Sequence, residues 1–247
     1  MKAAKHGKNH PEKKPGLRFT ILYLFVWLSF LIPIVYIGTR MITGTLVTDA
    51  EGLHSMSDYT LMLVECVLGL VAINAPAILG RRLKFEVPVG LYVLFIVFLY
   101  CAIFLGEVRS FYYRFAWWDT MLHCMSSMMT GFLGMMVITI LNQDEHTVMH
   151  LSPAFVGIFA FCFSVTIGAL WEIYEFTGDG LLGLNMQKFM LSDGTLLTGH
   201  AALTDTMKDI IVDCIGALLS TVIGVLTLRR DPSVIIPHLT KGNKEGK

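Results

Sequence analysis

The stretch LTDTMKDIIVDCIGALLSTVIG, residues 203–224, decides how the chain folds because it joins two properties that exclude each other in a lipid-facing helix. Its second half has the composition of a membrane span, yet Asp205, Asp209 and Asp213 enter it at four-residue intervals. On a helix with about 100° per residue, these three carboxylates lie within about 80° of one another. The acidic stripe should therefore face other helices of a bundle and not lipid.

The whole chain has the composition of a polytopic membrane protein. It has 247 residues, of which 54% are hydrophobic, and its mean hydropathy is +0.63. A helix needs about 20 residues to cross a hydrocarbon core of about 30 Å. Six segments satisfy this requirement, and we place them near 19–40, 59–79, 87–106, 119–141, 153–176 and 206–228. The sequence thus predicts an all-α protein whose transmembrane domain, 19–228, has six helices.

Lysine and arginine predict the orientation of the chain. They collect in the tail 1–18, in the connection between the second and third spans, and in the tail 229–247. The positive-inside rule places all three segments in the cytoplasm, which requires an even number of spans. We therefore expect a multi-pass protein of the cell (inner) membrane with cytoplasmic N and C termini. The tail 1–18 is too polar to fold alone and is predicted to be disordered and in contact with anionic lipid.

Three other predicted spans carry stripes of acidic residues, one of them with a histidine. The residues are Asp119 and His123 on the fourth span, Glu172, Glu175 and Asp179 on the fifth, and Glu65 on the second. Their spacing places the members of each stripe on one helical face. At about 1.5 Å per residue, all of them can meet in the outer half of the bundle.

Some of these residues have ordinary structural explanations. Asp205 can cap the last helix, and Asp209 can stabilise its positive N-terminal end. Glu175 and Asp179 can be solvated at the membrane edge. His123 alone would more often be a hydrogen-bonded core histidine than a ligand.

The deeper acids do not fit those explanations. Glu172, Asp213 and Glu65 lie too far inside their spans for capping, and a charged aspartate at mid-membrane costs about 2.5–3.5 kcal/mol. The sequence places no lysine or arginine at that depth to pair with them. Neutralisation should therefore come from protons, from a cation, or from water in an open vestibule.

This set of side chains suits a divalent cation such as Mg²⁺, Mn²⁺, Ca²⁺ or Zn²⁺, because it combines oxygen donors with one imidazole. We expect the metal ligands to be Asp119, His123, Glu172 and Asp213. Glu175 or Asp209 would either contact a metal ligand without binding the metal or act as general base. Glu65, Asp205 and Asp179 would support the site.

Other kinds of site are not indicated. The five cysteines lie inside spans without C-x-x-C spacing, so neither disulfides nor a thiolate metal site are expected. The sequence has no H-E-x-x-H, no G-x-S-x-G and no P-loop. No organic cofactor and no nucleic-acid partner are predicted.

Three motifs together resemble a known family. WDTMLHCMSSMMTGF (118–132), WEIYEF (171–176) and DTMKDIIVDCIGAL (205–218) are similar to the YjdF-type family of uncharacterised prokaryotic inner-membrane proteins. They resemble VanZ-like proteins more distantly, and the likeness covers about 117–224. The resemblance implies no established reaction, and it points to Asp119, His123, Glu172, Glu175, Asp205, Asp209 and Asp213.

The chain departs from the VanZ-like pattern in two ways. Glu175 has no glutamine three residues further on, and no arginine precedes the aspartates. A role in glycopeptide resistance is therefore not transferred.

Three functions remain open from the sequence. The first is metal-assisted hydrolysis or transfer on a lipid or envelope-linked substrate at the outer face. The second is a proton- or cation-coupled transporter of a small solute. The third is a structural or regulatory membrane protein whose acidic pocket only holds the fold together.

The long outer connection, 177–205, is expected to form a re-entrant or interfacial flap. Membrane lipids are the expected partners, and the oligomeric state is not predicted.

Overall fold

The computed structural model describes residues 16–44, 56–83, 88–142, 151–191 and 194–230. These ranges contain helices and no β-strand, apart from an isolated bridge between Met190 and Leu196. The helices are α1 (Leu17–Ile42), α2 (Met56–Ala72), α3 (Ala75–Leu83), α4 (Val89–Leu99), a π-helix (Tyr100–Val108), α5 (Phe111–Arg114), α6 (Trp118–Asn142), α7 (Pro153–Leu182) and α8 (His200–Arg230).

Six helical segments among the described residues are long and apolar enough to cross a membrane, which confirms the predicted fold class. The segments are Leu17–Ile42, Asp58–Arg82, Val89–Val108, Trp118–Thr139, Pro153–Leu182 and His200–Arg230. The predicted tails 1–18 and 229–247 lie almost entirely outside the described residues, and the cytoplasmic position of the termini stays a prediction.

The two helices with the most acidic residues are longer than hydropathy indicates. α7 continues past residue 176 to Leu182, and Gly183 ends it in the left-handed conformation with a φ of 65°. α8 begins at His200, before the expected start at 206. Hydropathy counts only the apolar part of a helix, whereas the backbone hydrogen bonds continue into polar sequence. The connection between the two helices is correspondingly shorter than predicted.

The second membrane span is interrupted between α2 and α3. Tyr23 Oη donates to Asn74 Oδ1 at 2.9 Å, and Tyr92 Oη donates to the Ile73 carbonyl at 2.9 Å. Asn74 Nδ2 also donates to the Leu70 carbonyl at 3.0 Å. These side chains take the place of helical partners, since a broken helix within a membrane needs its polar backbone groups satisfied by the protein.

The third span ends in the π-helix, whose wider turns lead into a tight reversal. Ser110 has a φ of 60° and connects the π-helix to α5. A Cβ on Gly106 would lie 2.9 Å from Cζ of Tyr112, so the tyrosine ring packs where no side chain is present. Burial raises the pKa of Tyr112 well above its usual value, with nearby Glu107 adding to the effect.

The helices α1, α2 and α4 and the π-helix enclose an apolar core. Its fully buried centre includes Phe30, Ile73 and Ile96, and aromatic rings of neighbouring helices pack around them. Phe19 and Tyr92, for example, meet edge to face with their centroids 5.1 Å apart. Large side chains therefore fill this half of the molecule.

By contrast, α6, α7 and α8 pack closely through small and hydroxylated residues. A Cβ on Gly216 of α8 would lie 2.8 Å from the carbonyl oxygen of Cys124 on α6. The hydroxyls of Thr130 and Ser164 are 2.8 Å apart, and Ser164 also donates to the Ser127 carbonyl at 2.7 Å. Close approach of this kind is typical of membrane helices that interact through small residues.

Candidate functional site

The imidazole of His123 lies among carboxylates from three helices. Its Nδ1 atom is 3.4 Å from Oδ2 of Asp213 on α8. Its Nε2 atom is 3.7 Å from Oδ1 of Asp119, one turn earlier on α6, and 4.0 Å from Oε1 of Glu172 on α7. The ring is buried with 6% exposure, so these carboxylates replace water as its polar surroundings.

Asp209, one turn before Asp213 on α8, completes the cluster. One donor atom from each of Asp119, His123 and Asp209 lies within 4.8 Å of the others. Two donors on opposite sides of one cation are separated by about twice the metal–donor distance, which is about 4–5 Å. The three side chains therefore fit around a single ion.

Several oxygens of this cluster have no hydrogen-bond partner among the described residues. They are both carboxylate oxygens of Glu172, Oδ1 of Asp209 and Oδ1 of Asp213. These residues are 5%, 1% and 3% exposed, respectively. A buried carboxylate without a partner is strongly disfavoured unless a proton or a cation neutralises it.

A glycine on the neighbouring helix makes room for the cluster. A Cβ on Gly168 of α7 would lie 2.9 Å from Cγ of Asp213. α7 can thus approach α8 closely enough to hold the Asp213 carboxylate between the helices. The absence of a side chain at Gly168 therefore has a direct effect on the site.

The sequence excluded a basic partner only at the depth of Glu172, Asp213 and Glu65, and it did not predict a basic residue at the outer end of the acidic stripes. Lys188, from the connection between α7 and α8, forms an ion pair with Asp119 and lies 3.2 Å from Oδ2 of Asp205. Helical spacing could not reveal this contact because Lys188 lies outside every span. A usable signal was present, since Lys188 is the only basic residue between 177 and 205 other than His200.

The electrostatics of Lys188 keep this ion pair charged. Burial alone would lower the pKa of its ammonium group, but the carboxylates of Asp119 and Asp205 outweigh burial and raise the pKa above the usual value. A raised pKa contributes stability below the unfolded-state value, and the contribution is lost only as pH rises through the folded-state value. The Lys188 ammonium group therefore stays charged throughout the neutral range.

Asp179 lies apart from the cluster and organises the connection. Its two carboxylate oxygens accept hydrogen bonds from the backbone N–H groups of Met186 at 2.7 Å and Gln187 at 3.0 Å. The Gln187 side chain then donates to the hydroxyl of Thr206 on α8 at 2.8 Å. Asp179 thus anchors the segment that carries Lys188.

Glu175 borders the cluster, one turn after Glu172 on α7, and it also interacts with Glu65 on α2. Glu175 Oε1 accepts a hydrogen bond from Trp171 Nε1 at 2.9 Å. Glu65 lies close enough to Glu175 and Glu107 for their charges to interact. Glu107, at the end of the π-helix, was not among the predicted site residues.

The structure therefore sorts the predicted residues into four places. His123, Asp119, Glu172, Asp209 and Asp213 converge, Asp205 lies at the outer edge with Lys188, Asp179 anchors the connection, and Glu175 lies beside the cluster, near enough to Glu65 for the two to interact.

Comparison with known proteins gives the family of the chain. Residues 39–230 match the model of the family described as "Predicted membrane protein (DUF2238)", and the chain belongs to this family. A Thermotoga maritima protein with the name "Uncharacterized protein" is 30% identical over 115 residues, which cover 45% of this chain and 50% of that relative. The chain thus spans about half the length of that relative. No solved structure matches, and the distant likeness to VanZ-like proteins stays a prediction.

Proposed function

We propose that this member of the DUF2238 family binds a divalent cation in the outer half of its helical bundle. The observation that carries the proposal is the buried convergence of Asp119, His123 and Asp209, whose donor atoms lie within 4.8 Å of one another. Glu172 and Asp213 add buried oxygens without partners to the same place. A cation supplies the missing neutralisation and uses the imidazole as well.

The two ring nitrogens of His123 suggest different roles for the surrounding acids. A metal-binding imidazole commonly donates its second N–H to a carboxylate, which fixes the ring orientation. Nδ1 is 3.4 Å from Asp213, whereas Nε2 is directed toward Asp119 and Glu172. We therefore assign Nε2, Asp119, Asp209 and Glu172 as ligands and Asp213 as the residue that orients the ring. Asp209 and Asp213 thereby exchange the roles expected from the sequence.

The donor set favours particular ions. Ca²⁺ and Mg²⁺ prefer sites built from oxygen alone, whereas imidazole mixed with carboxylates suits Zn²⁺ and, among harder ions, Mn²⁺. We expect Mn²⁺ or Zn²⁺ to bind more tightly than Ca²⁺ or Mg²⁺.

The basic helix ends support an outward-facing site. Arg81 and Arg82 end α3, and Arg229 and Arg230 end α8. The His123 cluster lies toward the opposite end of α8, about 24 Å away along its axis at 1.5 Å per residue. We propose that the basic ends and both termini are cytoplasmic in the inner membrane and that the cation site opens outward.

The chemistry that fits this position is metal-assisted hydrolysis or transfer on a lipid or envelope-linked substrate, for which the cation would supply Lewis acidity. Glu175 lies one turn from Glu172 and is held by Trp171, and we assign it as general base. The YjdF-type resemblance agrees with an inner-membrane location and adds no reaction.

A second candidate function is proton- or cation-coupled transport of a small solute. The observation in its favour is the group of hydroxyls directly inward of His123, where Thr130 and Ser164 are 2.8 Å apart. In that case the unpartnered carboxylates would hold protons. A structural role, the third alternative, requires neither metal nor solute.

The deciding experiment is elemental analysis of the detergent-purified full chain by mass spectrometry, without added metal. The variants are His123→Ala combined with Asp209→Asn, and Glu175→Gln as a matched control that removes a nearby buried carboxyl group. We expect near-stoichiometric Mn²⁺ or Zn²⁺ in the wild type and in Glu175→Gln, and none in the double variant. No bound metal, together with no thermal stabilisation by added Mn²⁺ or Zn²⁺, would reject the proposal and favour protons.

A further inference from the structure

The two oxygens of Asp119 have different partners. Oδ1 lies 3.7 Å from Nε2 of His123, inside the cluster. Oδ2 accepts a hydrogen bond from Nζ of Lys188, which also lies 3.2 Å from Oδ2 of Asp205. The lysine therefore contacts the outer side of a carboxylate whose inner side is directed at the imidazole. A cation bound between Asp119 and His123 would therefore not displace the ammonium group of Lys188.

The segment that presents Lys188 is held by its own hydrogen bonds. The Asn185 side chain donates to the Met190 carbonyl at 2.7 Å and accepts from the Met190 N–H at 2.9 Å. Asp179 fixes the residues between them from the end of α7. Lys188 itself has a φ of 47°, a left-handed conformation that is disfavoured for a residue other than glycine. The surrounding contacts thus hold the ammonium over Asp119 in a backbone conformation that is otherwise disfavoured.

We propose that Lys188 is a positioning residue of the cation site: its ammonium group fixes the outer oxygen of Asp119, so that the inner oxygen remains directed at His123. The inference rests on the proposed function and adds a residue from outside the spans. Hydrogen-bond partners of metal ligands commonly change metal affinity by about 10- to 100-fold when they are removed. Lys188 thus orients Asp119, as Asp213 orients the ring of His123.

The direction in which cation affinity changes when Lys188 is removed distinguishes a positioning role from a purely electrostatic one. Removing a positive charge near a cation site should tighten cation binding, since like charges repel. Removing a positioning residue should weaken it, because Asp119 becomes free to rotate away. Lys208 provides the matched control, since it is an exposed lysine next to Asp209 on α8 and removing it tests the charge effect alone.

The test is Mn²⁺ titration by calorimetry on the detergent-purified full chain after metal removal. Lys188→Met keeps the aliphatic part of the side chain and should weaken Mn²⁺ binding by about 10- to 100-fold. Lys188→Arg keeps a donor for Asp119 and should restore most of the affinity. Lys208→Met should bind Mn²⁺ as tightly as the wild type or slightly more tightly. Thermal unfolding of the metal-free proteins checks that every variant is folded.

A second variant tests Lys188 indirectly, by removing Asp179, which holds the segment that carries the lysine. Asp179→Ala leaves the ammonium group intact but removes the acceptor for Met186 and Gln187, and it should reproduce part of the loss in affinity. Lys188→Met that binds Mn²⁺ as tightly as the wild type would overturn the inference and leave the cation site standing. A wild type that binds no Mn²⁺, alone or in competition with Zn²⁺, would reject the proposed function and this inference with it.

Discussion

The two halves of the membrane bundle use opposite kinds of residue in their interiors. In the first half, from α1 to the π-helix, fully buried side chains such as Phe30 and Ile96 fill the space between helices. In the second half, α6, α7 and α8 meet through glycines and hydroxyls, and their buried side chains include Asp209 and Asp213. The first half is packed like an apolar core, and the second half brings polar groups together.

This difference explains why the candidate site lies in the second half. Short acidic side chains reach across a helix interface only when the backbones approach closely, and small residues permit that approach. Large apolar side chains keep helices farther apart, so short acidic side chains cannot meet across their interfaces.

The largest effect on stability is expected in the first half. Phe30→Ala should lower the free energy of unfolding by about 3 kcal/mol because it leaves a cavity at the centre of the apolar core. Mn²⁺ content should remain unchanged. Denaturant unfolding in detergent and elemental analysis measure the two quantities, with the 47%-exposed Leu28→Ala as control. Loss of bound metal in Phe30→Ala would show that the two halves of the bundle are not independent.

Cation binding should stabilise the second half by a similar amount. At a free Mn²⁺ concentration of about 100 times Kd, the wild type should gain about 2.7 kcal/mol. Asp209→Asn should gain nothing from Mn²⁺, because it lacks one proposed ligand. Without metal, the same variant should be more stable than the wild type, since it removes a buried carboxylate with an unpartnered oxygen. Thermal unfolding with and without Mn²⁺ tests this crossover, and parallel curves would contradict it.

Matched glycine substitutions sharpen the comparison of packing. Gly216→Ala places a Cβ 2.8 Å from the Cys124 carbonyl oxygen, which belongs to the backbone and cannot move easily. Gly69→Ala places it 2.7 Å from Cδ1 of Ile103, the mobile end of a side chain. We expect Gly216→Ala to cost about 2 kcal/mol and Gly69→Ala clearly less. Equal shifts in thermal unfolding would show that the two halves tolerate added volume alike.

The smallest effect should come from the hydroxyl pair inward of the site. A double-mutant cycle with Thr130→Ala and Ser164→Ala should give a coupling energy of about 0.6 kcal/mol, the average for such pairs in membrane helices. Mn²⁺ affinity should not change in either variant. A coupling energy near zero would mean that the pair does not contribute to joining α6 and α7.

Much of the fold and the core of the site could be predicted from local patterns. Apolar length alone predicts six spans, and four-residue spacing predicts that Asp205, Asp209 and Asp213 share a face. The outer connection could not be predicted in the same way, since Asp179 anchors residues that have no periodic relation to it. Lys188 was missed for the same reason.

The sequence by itself determined which residues face away from lipid, because hydropathy and helical periodicity are properties of neighbouring positions. It therefore determined the membrane class and the acidic stripes. Only the tertiary structure decided which stripes meet, since His123 and Asp213 are 90 positions apart and come within 3.4 Å because α6, α7 and α8 pack closely at glycines such as Gly168 and Gly216. The separate roles that we propose for the two nitrogens of His123, and for the two oxygens of Asp119, depend on contacts of this kind.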